Sequence, residues 1–243
     1  MPRHPQQEAA EAPATAAPAA GWGPARTAGP PTTLLLLRHG ETALTPEKRF
    51  SGSGGTNPPL SAAGIRQARS AATAFAARGA VQDIVCSPLL RCRQTASATA
   101  ELLGLEAIVE PGLREADFGA WEGLTFDEVR ERHPADLAAW QESPTAAPTG
   151  GESFAEVADR VAAARDLILA RHRGRTVLVV THVVPVKTLV RLAMGAPPEA
   201  VFRLELAAAA LSEISYPAEG GPSVRLVNST AHLGSLNGPT VRP

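Results

Sequence analysis

The chain has 243 residues, enough for one α/β domain of roughly 200 residues with its own core plus flexible ends. Lys and Arg number 23 and Asp and Glu 24, a net charge of −1 that excludes any general attraction to nucleic acid or to an anionic membrane, so anion binding has to be local. Cys86 and Cys92 lack metal-ligand spacing and are read as core thiols, and no apolar run approaches the ~20 residues of a membrane span.

From Met1 to about Pro31 the chain is Ala, Pro, Gly and Gln without an apolar period. Such a segment cannot bury enough surface to offset its ordering entropy, so residues 1–31 are expected to form a disordered tail, with His4 and Trp22 as bystanders. Nothing near Met1 has the layout of a signal peptide, and a cytoplasmic location is expected. The stretch Thr33–Thr42, TLLLLRHGET, then opens the domain. Its four leucines read as a strand buried on both faces, which puts Arg38, His39 and Gly40 at the carboxyl end, where ligands bind in open α/β sheets.

Residues 40–60 are rich in Gly, Ser, Thr and Pro and are expected to loop over the strand tips. Within them Thr42, Lys48, Arg49, Ser51 and Gly52 are candidate substrate contacts, the cations being equally explained as a solvated pair. Ser61 caps a helix to Arg78, stopped by Gly79, with Ile65, Ala68, Ala72 and Phe75 expected to face inward. A strand at Asp83–Cys86 leads through a turn into a helix that begins near Arg91. Arginine in a first turn runs against the helix dipole, so Arg91 calls for an anion, while Arg93 is read as a surface residue.

A short strand at 107–109 precedes the loop LREADFGAWEG, residues 113–123, whose Glu115, Asp117 and Glu122 are rival candidate acids. Helices are expected at 125–132, 134–140 and 152–171, the last with Phe154, Val157, Val161, Leu167 and Ile168 inward. His133 and His172, at helix ends, are expected to be solvated. The run Thr176–Thr181 is a second buried strand that ends in a histidine, His182. A helix at 184–194 and strand-like runs at 202–206, 211–216 and 224–227 follow. The domain is taken as 32–230, with His232 in a disordered tail over 231–243. The alternation implies a three-layer α/β/α sandwich with a mainly parallel central sheet.

Five motifs occur in order: Leu-Leu-Arg-His-Gly-Glu-Thr, Ser-Pro-Leu-Leu-Arg-x-x-Gln-Thr-Ala, Leu-Arg-Glu-x-x-Phe-Gly-x-Trp-Glu-Gly, Gly-Gly-Glu-Ser and Val-Val-Thr-His. Together they resemble the histidine phosphatase superfamily, also called phosphoglycerate mutase-like, over about residues 33–230. The likeness is greatest to the α-ribazole phosphatase branch and to the acid phosphatase domain that some actinobacterial proteins carry behind a ribonuclease H domain. No nuclease activity is carried over, since the Ala/Pro tail stands where that linker would be. The resemblance implies that His39 is a nucleophile that becomes phosphorylated, that Arg38, Arg91 and His182 surround the phosphoryl group, and that Glu115 is the proton donor. It implies no metal and no cofactor.

The expected partner is a small phosphorylated metabolite, α-ribazole 5′-phosphate or a broader set of monoesters, with no nucleic acid and no membrane; a homodimer is the one assembly entertained. Two alternatives stay open. One is a phosphoglycerate mutase, against which the short spacing between the acid loop and His182 argues. The other is a noncatalytic binding module on the same fold.

Overall fold

The computed structural model describes residues 29–236, so the expected Ala/Pro-rich tail, except for residues 29–31, lies outside the described residues. Strands β1 (Thr32–Arg38), β2 (Asp83–Cys86), β3 (Ala107–Val109), β4 (Thr176–Thr181), β5 (Leu211–Tyr216) and β6 (Ser223–Ser229) form one sheet in the order β3-β2-β4-β1-β5-β6. The first four strands in that order pair parallel, and β5 and β6 add antiparallel pairs at one side. The sheet is therefore mainly parallel, as its apolar strands imply.

Successive strand residues point to opposite faces, and β1 serves two cores at once. Leu34 and Leu36 pack with Val177, Val179 and Ile214 beneath α5 (Phe154–Arg171) and α6 (Val183–Ala193). Leu35 and Leu37 pack with Ile84, Cys86, Leu178 and Val180 against α1 (Ala62–Arg78) and α2 (Leu90–Leu103). Each of these leucines is at most 1% exposed, and burying one stabilises the fold by ~1.5–3 kcal/mol. Helices α1 and α5 start at well-formed caps: Ser61 accepts from Gly64 N, and Ser153 forms a capping box with Glu156 at the start of α5. Two short helices, α3 (Phe126–Arg132) and α4 (Pro134–Glu142), follow the acid loop, and α4 brings Trp140 to the wall of the cleft described below.

Several expectations are corrected. The run 202–206 is not a strand. Pro197 and Pro198 direct the chain into a 3-10 helix at Pro198–Arg203, and Phe202 turns to Trp140 and Phe154, with ring centroids 5.2 and 5.3 Å away. The chain also stays folded past Ser229. A 3-10 stretch at Ala231–Leu236 buries Leu233 to 2% exposure, His232 Nε2 donates to Ala209 O at 2.9 Å, and Ser70 Oγ donates to His232 O at 2.6 Å. Ile65 and Leu167 face solvent, because the inward stripes run through Ala68, Ala72 and Phe75 and through Val157, Val161, Ala164 and Ile168. His172 is buried instead of solvated, paired through Nδ1 with Asp83 at 2.8 Å, while His133 is half-buried at the α3–α4 junction.

Candidate active site

Strand register brings the two histidines together. Arg38 of β1 pairs with Thr181 of β4, so the residues that follow, His39 and His182, leave adjacent strand tips. Their rings stand 5.1 Å apart and 63° to one another. His39 Nδ1 lies 2.7 Å from Gly40 O, which requires the proton on Nδ1 and leaves Nε2 bare. Arg91 Nε donates to that bare Nε2 at 3.3 Å. Burial, followed by the charges of Arg38 and Arg91, holds His39 well below the ordinary histidine range, so the ring is neutral. Gly40 fits because a Cβ there would come within 2.6 Å of Gly64 O, so α1 packs close beneath the loop.

His182, fully buried, meets Ser87 Oγ at 2.7 Å and Cys92 Sγ at 3.3 Å through Nε2. Burial, then Arg91 and His39, pushes its pKa down as well. Two guanidinium groups complete the floor. Arg38 Nη1 donates to Leu206 O at 2.6 Å, and Arg91 Nη2 donates to Ser51 O at 2.8 Å. Arg38 Nε, Arg91 Nη1 and Ser51 Oγ are buried with no partner. Burial lowers both arginine pKa values while Glu115 opposes that fall, and guanidinium stays charged throughout. Unpaired buried donors are expensive, and an anion seated among them would satisfy them.

The acid loop supplies one carboxylate to this floor. Glu115 is 5% exposed, and its oxygens accept from Ala116 N (2.9 Å), Val183 N (3.1 Å) and Val184 N (3.2 Å), the last two at the start of α6. Burial raises its pKa, while these N–H groups and the Arg91 and Arg38 charges pull the other way. The rival acids are spent elsewhere. Glu122 accepts from Gly52 N at 2.9 Å, and Asp117 accepts from Gly119 N at 2.9 Å. The loop is braced from behind by Arg160, which donates to Arg114 O and Glu115 O at 2.8 and 3.0 Å and to Glu152 Oε2 at 2.9 Å.

A cleft of about 860 Å³ opens over the floor. Arg38, His39, Thr42, Lys48, Arg49, Ser51 and Glu115 line it, whereas Arg91, His182 and Gly52 lie behind its surface. Gly52 has no room for a side chain, since a Cβ would sit 2.2 Å from Ala116 O. Thr42 bonds Thr45 Oγ1 through its amide at 3.0 Å. Arg49 is taken up by Glu47 at 2.6 Å and Glu128 at 2.9 Å. Arg93 is exposed, as expected.

Sequence reasoning passed over Lys187, which lines the cleft from α6, and Thr95, whose Oγ1 accepts from Gly40 N at 3.1 Å. Lys187 stands four and three residues after Val183 and Val184, which also line the cleft, a same-face helical spacing that could have flagged it once the start of α6 was placed at the site. Among the described residues no group of three or more His, Cys, Asp or Glu is arranged to hold a metal, and no helix is long and apolar enough to cross a membrane.

Comparison with known proteins defines the class. Residues 34–230 match the family model of the histidine phosphatase superfamily (branch 1), and the chain belongs to that family. The bifunctional protein of Mycobacterium tuberculosis is 48% identical over 213 residues, 88% of this chain and 57% of that protein, so the chain spans little more than half of that relative. Phosphoserine phosphatase 1 of Hydrogenobacter thermophilus is 34% identical, with 84% of this chain and 95% of that one covered. Among solved structures, a mycobacterial glucosyl-3-phosphoglycerate phosphatase in complex with VO3 has a TM-score of 0.74 at 29% identity, covering 82% of this chain and 100% of that one. The α-ribazole phosphatase of Shigella flexneri has a TM-score of 0.71 at 27% identity, covering 82% and 96%.

Proposed function

We propose that the cleft hydrolyses phosphate monoesters through a phosphohistidine on His39. One observation carries the reading: a bare imidazole Nε2 faces an anion pocket whose buried donors, Arg38 Nε and Arg91 Nη1, have no partner of their own. The reacting phosphoryl group takes those donors together with His182, and Nε2 attacks phosphorus in line with the leaving oxygen. The P–O bond breaks as the P–N bond forms. Protonated Glu115 passes its proton to the departing alkoxide.

In the second half a water attacks phosphohistidine, Glu115 takes the water's proton, and inorganic phosphate leaves with His39 again neutral. The Nδ1–H to Gly40 O bond holds the ring's tautomer through both halves. Preorganised guanidinium donors supply the electrostatic stabilisation, so these steps call for no metal. The raised pKa of Glu115 suits a group that alternates between acid and base.

The leaving group meets a wall of Leu44, Phe50, Phe118, Trp140, Phe154 and Phe202, which accepts an apolar body. α-Ribazole 5′-phosphate, phosphoglycerates and sugar phosphates are the metabolites to be compared, with p-nitrophenyl phosphate as the nonspecific probe. The test measures phosphate release in EDTA together with capture of a labelled phosphoenzyme from [32P]-substrate. Release with a label that is stable to base, labile to acid and absent from His39→Ala is expected. Interconversion of 2- and 3-phosphoglycerate without net phosphate release would replace hydrolysis by mutase chemistry. Absence of label with undiminished turnover would remove the covalent step.

A further inference from the structure

We propose that Lys187 reads a second negative charge on the substrate, a carboxylate or a second phosphate carried by the leaving group. The inference rests on the phosphatase reading of the same cleft but not on any one of the metabolites compared above. Lys187 projects from α6, the helix whose first amides hold Glu115, and it lines the cleft beside Arg38 and Val184. It is half-buried, and among the described residues its ammonium group makes neither a hydrogen bond nor a salt bridge. The other cations around the cleft are differently placed. Arg38 and Arg91 belong to the floor, Arg49 is paired with two glutamates, and Lys48 is exposed on the rim.

A lysine held half out of water without a partner loses hydration and gains no compensating bond from the protein. Burial accordingly lowers its pKa, with Glu115 and Glu205 pulling upward and Arg38 downward. Glu205 lines the same cleft and is the one other carboxylate facing Lys187, yet it stays beyond salt-bridge range. A site built around an unpaired charge discriminates strongly, because a ligand that lacks the matching group leaves that charge unsatisfied. The substrate class is therefore a phosphate monoester with an apolar body and a further anionic group.

Binding can be read without turnover in a His39→Ala background, so a failure of the catalytic reading would not be mistaken for a failure of this one. Two matched pairs separate the sources of the second charge: 3-phosphoglycerate against glycerol 3-phosphate for a carboxylate, and fructose 1,6-bisphosphate against fructose 6-phosphate for a second phosphate. The doubly anionic member of at least one pair is expected to bind about tenfold or more tighter, and the pair with the larger ratio names the group. Lys187→Met should bring that ratio to within about threefold of unity while the singly anionic partner still binds, which also reports a folded protein. Lys187→Arg should keep most of the ratio, and Glu205→Gln should increase it. Equal binding within both pairs, an unchanged ratio in Lys187→Met, or transfer of the loss to Lys48→Met would each overturn the proposal. So would Glu205→Gln matching Lys187→Met, since Lys187 would then serve only to offset Glu205.

Discussion

The two ends of the sheet use the same residue types to opposite ends. At the carboxyl end His39 and His182 lie buried among arginines with no carboxylate bonded to either ring, and arginine donors are left open. At the amino end His172 and Arg175 close on one carboxylate, Asp83, at 2.8 and 2.7 Å, and Thr32 Oγ1 reaches His172 O. There the polar groups satisfy one another and tie together β1, β2 and β4. The difference teaches that a buried polar cluster is recognised as a site less by its residue types than by the donors it leaves unanswered. A satisfied cluster holds the fold; an unsatisfied one awaits a ligand.

The comparison breaks most sharply at His39. His39→Ala should fold normally and lose several orders of magnitude in kcat, each tenfold corresponding to ~1.4 kcal/mol of barrier, as measured by steady-state phosphate release beside circular dichroism. Near-normal turnover would take the nucleophile away from the carboxyl end. Arg91→Met comes next. It removes the donor to His39 Nε2 and one open donor of the floor, and is expected to lower kcat/KM by about 10²–10³-fold, the size seen when one preorganised donor is lost.

The pH dependence sharpens the contrast. His39 and His182 have folded pKa values pushed below the unfolded value of about 6.5, so below that pH the unfolded chain binds more protons and stability falls as pH drops. Each group contributes a slope of up to ~1.4 kcal/mol per pH unit until its folded pKa is reached. Glu115 acts with the opposite sign. Its folded pKa is raised, so the native state binds the extra proton and the benefit is lost as pH rises through that window. Denaturant titrations of the wild type and of His182→Gln at pH 7 and 5 should show the histidine loss shrinking in the variant.

In activity, the mechanism asks for a neutral His39 and a protonated Glu115. Turnover should fall as pH rises through the pKa of Glu115, and a pH–kcat/KM profile of Glu115→Gln should lose that fall along with most of the rate. The smallest effect belongs to the amino end. His172→Ala should cost ~1–2 kcal/mol of stability, lowering the thermal midpoint by a few degrees while kcat/KM stays unchanged. A large activity loss there would mean that the two ends are coupled.

Much of this was legible in the residues themselves. An unbroken Leu34–Leu37 run has one satisfactory fate, a strand covered on both faces, and the Thr176–Thr181 run has the same one, so their polar tails had to emerge at the sheet's carboxyl end. Arg91 was marked by its unfavourable place in a first helical turn. The failures have equally local causes. Phe202 and Leu206 look like strand residues by composition, but prolines start a 3-10 helix and the aromatic cluster draws Phe202 in. His172 and His232 read as solvent residues because their partners, Asp83 and Ala209 O, are distant in the chain.

The sequence by itself determined the layered α/β plan, the two histidine-tipped strands and the family, since these follow from apolar period, strand length and motifs that are local along the chain. Only the tertiary structure decided which carboxylate of the acid loop faces the floor. Glu115 reaches the amides of α6 while Asp117 and Glu122 are spent on loop amides, a choice made by contacts across 68 residues. It also left Lys187 unpaired in the cleft. Whether a charge is answered depends on what the fold places within a few ångströms of it, and no spacing along the chain carries that information.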